Sequence, residues 1–202
     1  MIKNVIFDLG NVLLNFRPAD YLNNKNYTED FTAKVLADIF HTKEWLLLDN
    51  GDISLKEAIN SISKRSSLSE DEIARIFDFR VDMMIPLDQN VKILPELKKQ
   101  GYKLYYLSNF PIDIFHEIKS RYHFFNYFDG GIISAEVRHS KPEKKFYEIL
   151  LEKYLLSPGE CLFIDDLEIN VNSAHSIGMK GLVTYGSLEI SEEVKNALSE
   201  FL

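Results

Sequence analysis

The chain has 202 residues, 46% of them hydrophobic and 27% charged, a globular composition that excludes a disordered chain. Its net charge of −8 leaves no broad basic face, which argues against nucleic acid or an anionic membrane as partner. A length of this order suits one large domain, or a main domain carrying an insertion.

The first apolar stretch, residues 5–14, is interrupted by Asp8 and Asn11. It lacks a basic start and a small-residue cleavage site, so it reads as a strand and its exit and not as a signal peptide or membrane span. The expected location is the cytoplasm. Over 16–86 the period turns helical: Phe31, Val35, Leu36, Ile39 and Phe40 share one stripe, and Ser54 with Glu57 and Ser69 with Glu72 have capping-box spacing, which opens helices. No convincing strand interrupts this segment. It predicts an all-helical insertion, a cap at 16–86, within a domain made of 1–15 and 87–202.

Further strands are predicted over 103–107, 131–133, 161–164 and 181–184. Helices lie between them, with stripes such as Val91, Leu94, Leu97 and Lys98, or Phe146, Ile149, Leu150 and Tyr154. A last helix turns Val194, Ala197, Leu198 and Phe201 inward. Near-continuous apolar strands alternating with helices predict an α/β fold with a Rossmann-like parallel sheet. The single Cys161 cannot form an internal disulfide, and its apolar strand predicts a buried structural thiol.

Ligands of open parallel sheets bind beyond the carboxyl ends of the strands, which makes polar strand exits the candidate site. Asp8 ends the first strand, and Ser108 and Asn109 end the second. Lys141 and Pro142 precede the helix after the third, and Asp165 and Asp166 end the fourth, with Asn170 close behind. Each alone is ordinary turn or cap chemistry; their occurrence at successive exits is specific. His41, His116, His123, His139 and His175 show no paired spacing, so neither zinc nor triad chemistry is expected.

In this order, Asp8-Leu9-Gly10-Asn11-Val12, Ser108-Asn109, Lys141-Pro142 and Asp165-Asp166-Leu167-Glu168-Ile169-Asn170 resemble the four motifs of the haloacid dehalogenase-like hydrolase superfamily, with a helical cap after the first. Together with Asn50-Gly51-Asp52-Ile53-Ser54, they are most similar to the branch of bacterial glucose-1-phosphate phosphatases and the N-terminal phosphatase domain of epoxide hydrolases. The resemblance implies a Mg²⁺-dependent phosphatase for a small phosphorylated metabolite such as a sugar 1-phosphate. Asp8 would be the nucleophile, forming an aspartyl phosphate. Ser108, Asn109 and Lys141 would bind the phosphoryl group. Asp8, the Gly10 carbonyl and Asp166 would hold the metal, an oxygen-only set suited to Mg²⁺, with Asp165 and Asn170 orienting its waters.

One departure has a chemical consequence: Gly10 stands where the family usually carries an Asp that acts as general acid and base. Without that acid the leaving group must tolerate more charge, which predicts a preference for sugar 1-phosphates over 6-phosphates. Two other readings remain open, a metal-independent 2-haloacid dehalogenase and a degenerate phosphate-binding module. The acidic pair favours the phosphatase, because carboxylates crowding an Asp nucleophile call for a divalent ion. Phe16, Arg17 and Trp45 can approach the cleft from the cap side, with packing or solvent contact as their expected role. The sequence does not indicate an oligomeric state.

Overall fold

The computed structural model of the protein describes residues 1–184 and 190–200. Five strands, β1 (Asn4–Phe7), β4 (Lys103–Ser108), β5 (Gly130–Ile133), β6 (Cys161–Asp165) and β7 (Lys180–Val183), form one parallel sheet in the order β5-β4-β1-β6-β7. Two short strands, β2 (Leu14–Phe16) and β3 (Met84–Pro86), pair antiparallel apart from it. Alternation along the strands divides the packing. Val5, Phe7, Leu104, Tyr106, Leu162 and Ile164 face one side, against the helices Ile93–Lys99, Ile112–Arg121 and Ile190–Glu200. Ile6, Tyr105, Leu107 and Phe163 face the other, against Lys144–Tyr154 and Glu168–Ser176. Strands covered on both faces in this way are what a near-continuous apolar run produces. Cys161 is fully buried among them.

Val194, Ala197 and Leu198 are buried as expected; Phe201 lies outside the described residues. The 91–98 stripe belongs to two short helices, Asp88–Val91 and Ile93–Lys99.

Between β2 and β3 the chain is helical and builds its own core from Leu22, Val35, Ile39, Trp45, Ile62, Ile73, Phe77 and Met83. Both expected capping boxes form: Ser54 and Ser69 accept from Glu57 N and Glu72 N, and each glutamate returns a bond to its cap's backbone N–H. The expectation of a strandless insertion needs one correction. Its two ends, Phe16 and Met84–Pro86, are paired strands, too short to show a period in sequence. This ribbon holds the entry and exit of the insertion side by side, directly after the β1 exit.

Several contacts tie the insertion to the rest of the domain. Arg80, almost wholly buried, pairs with Asp113 at 2.8 Å. The Tyr122 hydroxyl donates to the Met84 carbonyl at 3.0 Å. Ser134, just after β5, accepts from Phe110 N at 2.9 Å and donates to the Asp49 carbonyl. Gly51, at φ +74°, packs against Ala135, in backbone that a side chain would strain. Among the described residues, no helix is long and apolar enough to cross a membrane.

Candidate active site

The chain order of the sheet reverses around β1, which has β4 on one side and β6 on the other. This is the crevice where α/β sheets bind ligands. Asp8, held at the β1 exit by its N–H to the Ile164 carbonyl at 2.9 Å, is almost completely buried. Its Oδ1 takes three donors: Leu9 N, Ser108 Oγ and Lys141 Nζ, each at 2.7 Å. No donor among the described residues engages Oδ2.

Lys141 Nζ lies between two carboxylates, bonded to Asp165 Oδ2 at the same 2.7 Å. The other Asp165 oxygen accepts from Leu167 N at 2.8 Å and Asn170 Nδ2 at 2.9 Å. Asp165 is therefore saturated by protein, and Asn170 acts by fixing it. Asp166 is less buried, and Asn11 favours its charged form. Oxygens of Asp8, Asp165 and Asp166 lie within 4.8 Å of one another. Gly10 lines the same cavity.

The Asn109 carboxamide grips the main chain of Lys141. Its Nδ2 donates to the Lys141 carbonyl at 3.0 Å, and its Oδ1 accepts from Lys141 N at 2.8 Å. The second Nδ2 hydrogen remains for a ligand. Thus all eight residues singled out in sequence, Asp8, Gly10, Ser108, Asn109, Lys141, Asp165, Asp166 and Asn170, converge at one end of the sheet.

Burial pushes the Asp8 carboxyl up to about 6, with Asp165 adding to it and Lys141 and Ser108 opposing. Burial, then Asp165, also raises Asp166. Burial works against the Lys141 ammonium, but Asp8 and Asp165 outweigh it and hold its pKa above the ordinary lysine value. Three carboxylates share one ammonium, so the cluster carries excess negative charge whenever its acids are ionised. Oxygen donors with that excess suit a hard divalent cation.

The cavity beyond, ≈ 160 Å³, is walled largely by Leu14, Phe16, Trp45, Met84, Phe110 and Leu167, with Asp49 as a further acid. Phe16 and Trp45 stack at 5.7 Å. They serve both as packing, as expected, and as cavity wall. Arg17 is not among the lining residues. Sequence reasoning missed Asn11 and Asp49. Asn11 carries a signal, since it adopts φ 54°, a conformation Asn tolerates better than most residues.

Residues 2–178 match the profile of a hydrolase family described as haloacid dehalogenase-like hydrolase. A sesquiterpene phosphatase of Aspergillus oryzae is 30% identical over 96% of this chain and 95% of its own. Among solved structures, a HAD family enzyme of Bacteroides thetaiotaomicron in complex with magnesium and inorganic phosphate superposes with TM-score 0.69 at 24% identity, covering 91% of this chain and 94% of that one. The L-2-haloacid dehalogenase of Xanthobacter autotrophicus also gives TM-score 0.69, at 22% identity over 90% and 76%.

Proposed function

The chain belongs to the haloacid dehalogenase-like hydrolase family, and we propose that it is a Mg²⁺-dependent phosphatase that cleaves a small phosphorylated metabolite through an aspartyl phosphate on Asp8. Residues 1–15 and 87–202 are its core and 16–86 its cap. The observation that carries this reading is the charge of the cluster: three carboxylates within 4.8 Å around a single buried lysine. A dehalogenase needs no cation, and such an excess would oppose ionisation of its nucleophile.

Asp8, Asp166 and the Gly10 carbonyl are the groups that would hold Mg²⁺. Bound there, the ion would supply positive charge that neutralises the phosphoryl oxygens as the nucleophile attacks. The chain's own residues do the rest. Three donors fix Asp8 through Oδ1, which leaves Oδ2 to attack phosphorus. Lys141 neutralises phosphoryl charge, and Asn109 holds Lys141 in place while offering its spare hydrogen. Asp165 and Asn170 keep Lys141 ionised and oriented. Closing of the cap excludes water.

The cavity wall bears on the body of the substrate. Its aromatic and aliphatic side chains favour an ester with an apolar face, and the relative named a sesquiterpene phosphatase agrees with that. The leaving-group argument from Gly10 favours a sugar 1-phosphate instead, so both belong in one substrate panel. Phosphate release from an aryl phosphate tests the activity itself. Release with Mg²⁺, none with excess chelator and none from Asp8→Asn is the expected result. Halide release from 2-chloropropionate without metal would establish the dehalogenase, and phosphate binding without turnover the degenerate module.

A further inference from the structure

We propose that Asp49, from the cap, is the proton donor to the leaving-group oxygen, taking the place of the acid absent at position 10. This rests on the phosphatase reading above. Asp49 lines the same cavity as Asp8 and Lys141, the space that the leaving group of a phosphoryl ester on Asp8 would occupy. Its Oδ1 is closed off from bulk solvent and has no hydrogen-bond partner, an arrangement that costs stability unless a ligand completes it.

Its main chain is fixed by the core, since its carbonyl accepts from Ser134, and Trp45, earlier on the same helix, lines the cavity beside it. It is the last residue of the helix Lys43–Asp49, the end where the helix dipole disfavours an anion. Burial is the largest influence on it and holds its pKa well above the usual carboxylate range, with Arg80 opposing and Asp113 adding; Asp8 and Lys141 face it across the cavity. It does not serve as partner to the buried Arg80. That guanidinium is bonded to Asp113 and to the Phe77 carbonyl, each at 2.8 Å, and its remaining Nη1 is itself unpartnered.

Asp8 Oδ2 bonds to phosphorus, the bond from phosphorus to the leaving oxygen breaks, and that oxygen takes the Asp49 proton to depart as an alcohol. Water then attacks the aspartyl phosphate and gives a proton back to Asp49, releasing inorganic phosphate and free Asp8. The premise of the 1-phosphate preference changes with this assignment, because an acid is present after all and poor leaving groups are no longer excluded.

The test is a series of aryl and alkyl phosphates of graded leaving-group acidity, assayed with Mg²⁺. In the unmodified enzyme, kcat/KM should depend only weakly on leaving-group pKa, and a steep dependence overturns the proposal without any variant. Asp49→Asn, which keeps the side chain's shape, should slow alkyl phosphates about 10²–10⁴-fold and nitrophenyl phosphate far less. It should also remove one limb of the pH profile on the alkyl substrate. An equal loss on every substrate makes Asp49 structural, and no loss makes it a bystander; either overturns the assignment. An unmodified enzyme that releases no phosphate, or an Asp8→Asn variant that still does, overturns the phosphatase reading instead.

Discussion

The two walls of the cavity are built on opposite principles. On the sheet side every carboxyl has partners: Asp165 is saturated by Lys141, Leu167 and Asn170, and Asp8 receives three donors on one oxygen. On the insertion side the wall is Phe16, Trp45 and Met84 around one acid with an unpartnered oxygen. A pre-paired polar cluster holds charge in fixed geometry before substrate arrives, whereas an apolar wall with one open polar atom takes its form from the ligand. Nucleophilic attack and phosphoryl binding therefore belong to the sheet side, and leaving-group protonation together with discrimination between substrates to the insertion.

The sharpest way to break that division is to alter each wall in turn. Asp8→Asn should lower turnover on every substrate by about 10⁴-fold or more, as loss of a nucleophile does. Trp45→Phe should instead change the ratio of kcat/KM values across a panel of sugar and apolar phosphates, by about tenfold, the scale of small changes in an apolar pocket. If Trp45→Phe scales all substrates alike, or Asp8→Asn spares any, the walls do not divide the work.

Stability should divide in the same way. Lys141→Ala removes the one ammonium that the described residues place in a buried acidic cluster, and truncating one member of a buried pair costs about 3–5 kcal/mol. Urea denaturation of the metal-free protein at neutral pH reads that loss; a cost under about 1 kcal/mol would mean that the carboxylates are neutral there.

The Asp8 carboxyl gives the sign of a pH effect. Its folded value of about 6 lies above the ordinary 3.8, so between those pH values the folded state binds more protons than the unfolded. Stability from this group is therefore present below 3.8 and lost as pH rises through 6. A rise of that size corresponds to about 3 kcal/mol. Metal-free Asp8→Asn, which does not titrate there, should gain stability relative to the natural chain as pH is raised from 4 to 7. A constant difference would show that Asp8 is not elevated, and saturating Mg²⁺ should shrink the gain.

At the seam between the walls, Gly51→Ala puts a Cβ 3.0 Å from the Ala135 carbonyl oxygen at φ +74°. A left-handed residue other than glycine costs about 1–2 kcal/mol. The expected outcome is a lower Tm, and an unchanged Tm would mean that the insertion is not seated on the core there.

How much of this was legible in sequence follows the same division. Strand runs such as Cys161–Asp165 and the exits beside them could be read because burial on both faces and the parallel order put every exit at one end of the sheet. The capping boxes were local, hence readable. The β2–β3 ribbon was not, because three residues a side carry no period. Asp49 was not, because nothing in its neighbourhood of sequence reports that Ser134, 85 positions away, holds it at the cavity. The Asn109 grip on Lys141 was hidden for the same reason.

The smallest expected effect is at Gly10, and it joins both walls. A Cβ built there meets nothing within 4 Å, so Gly10→Asp should fold. The new carboxyl acts in two opposed ways: it can protonate a departing oxygen, and it adds an anion beside Asp8, Asp165 and Asp166, which raises their pKa values. With Asp49 already donating, the first gain is redundant and the second remains, so kcat/KM should fall by less than about tenfold and the ratio between glucose 1-phosphate and glucose 6-phosphate should barely move. In the Asp49→Asn background the donor is missing, and the same substitution should restore part of the lost rate, most on the poorest leaving groups, for which protonation contributes most. Measured as a double-mutant cycle, the two substitutions should couple strongly on alkyl phosphates and weakly on nitrophenyl phosphate. A large gain from Gly10→Asp in the natural background would show that no acid acts there, and that the insertion contributes only walls.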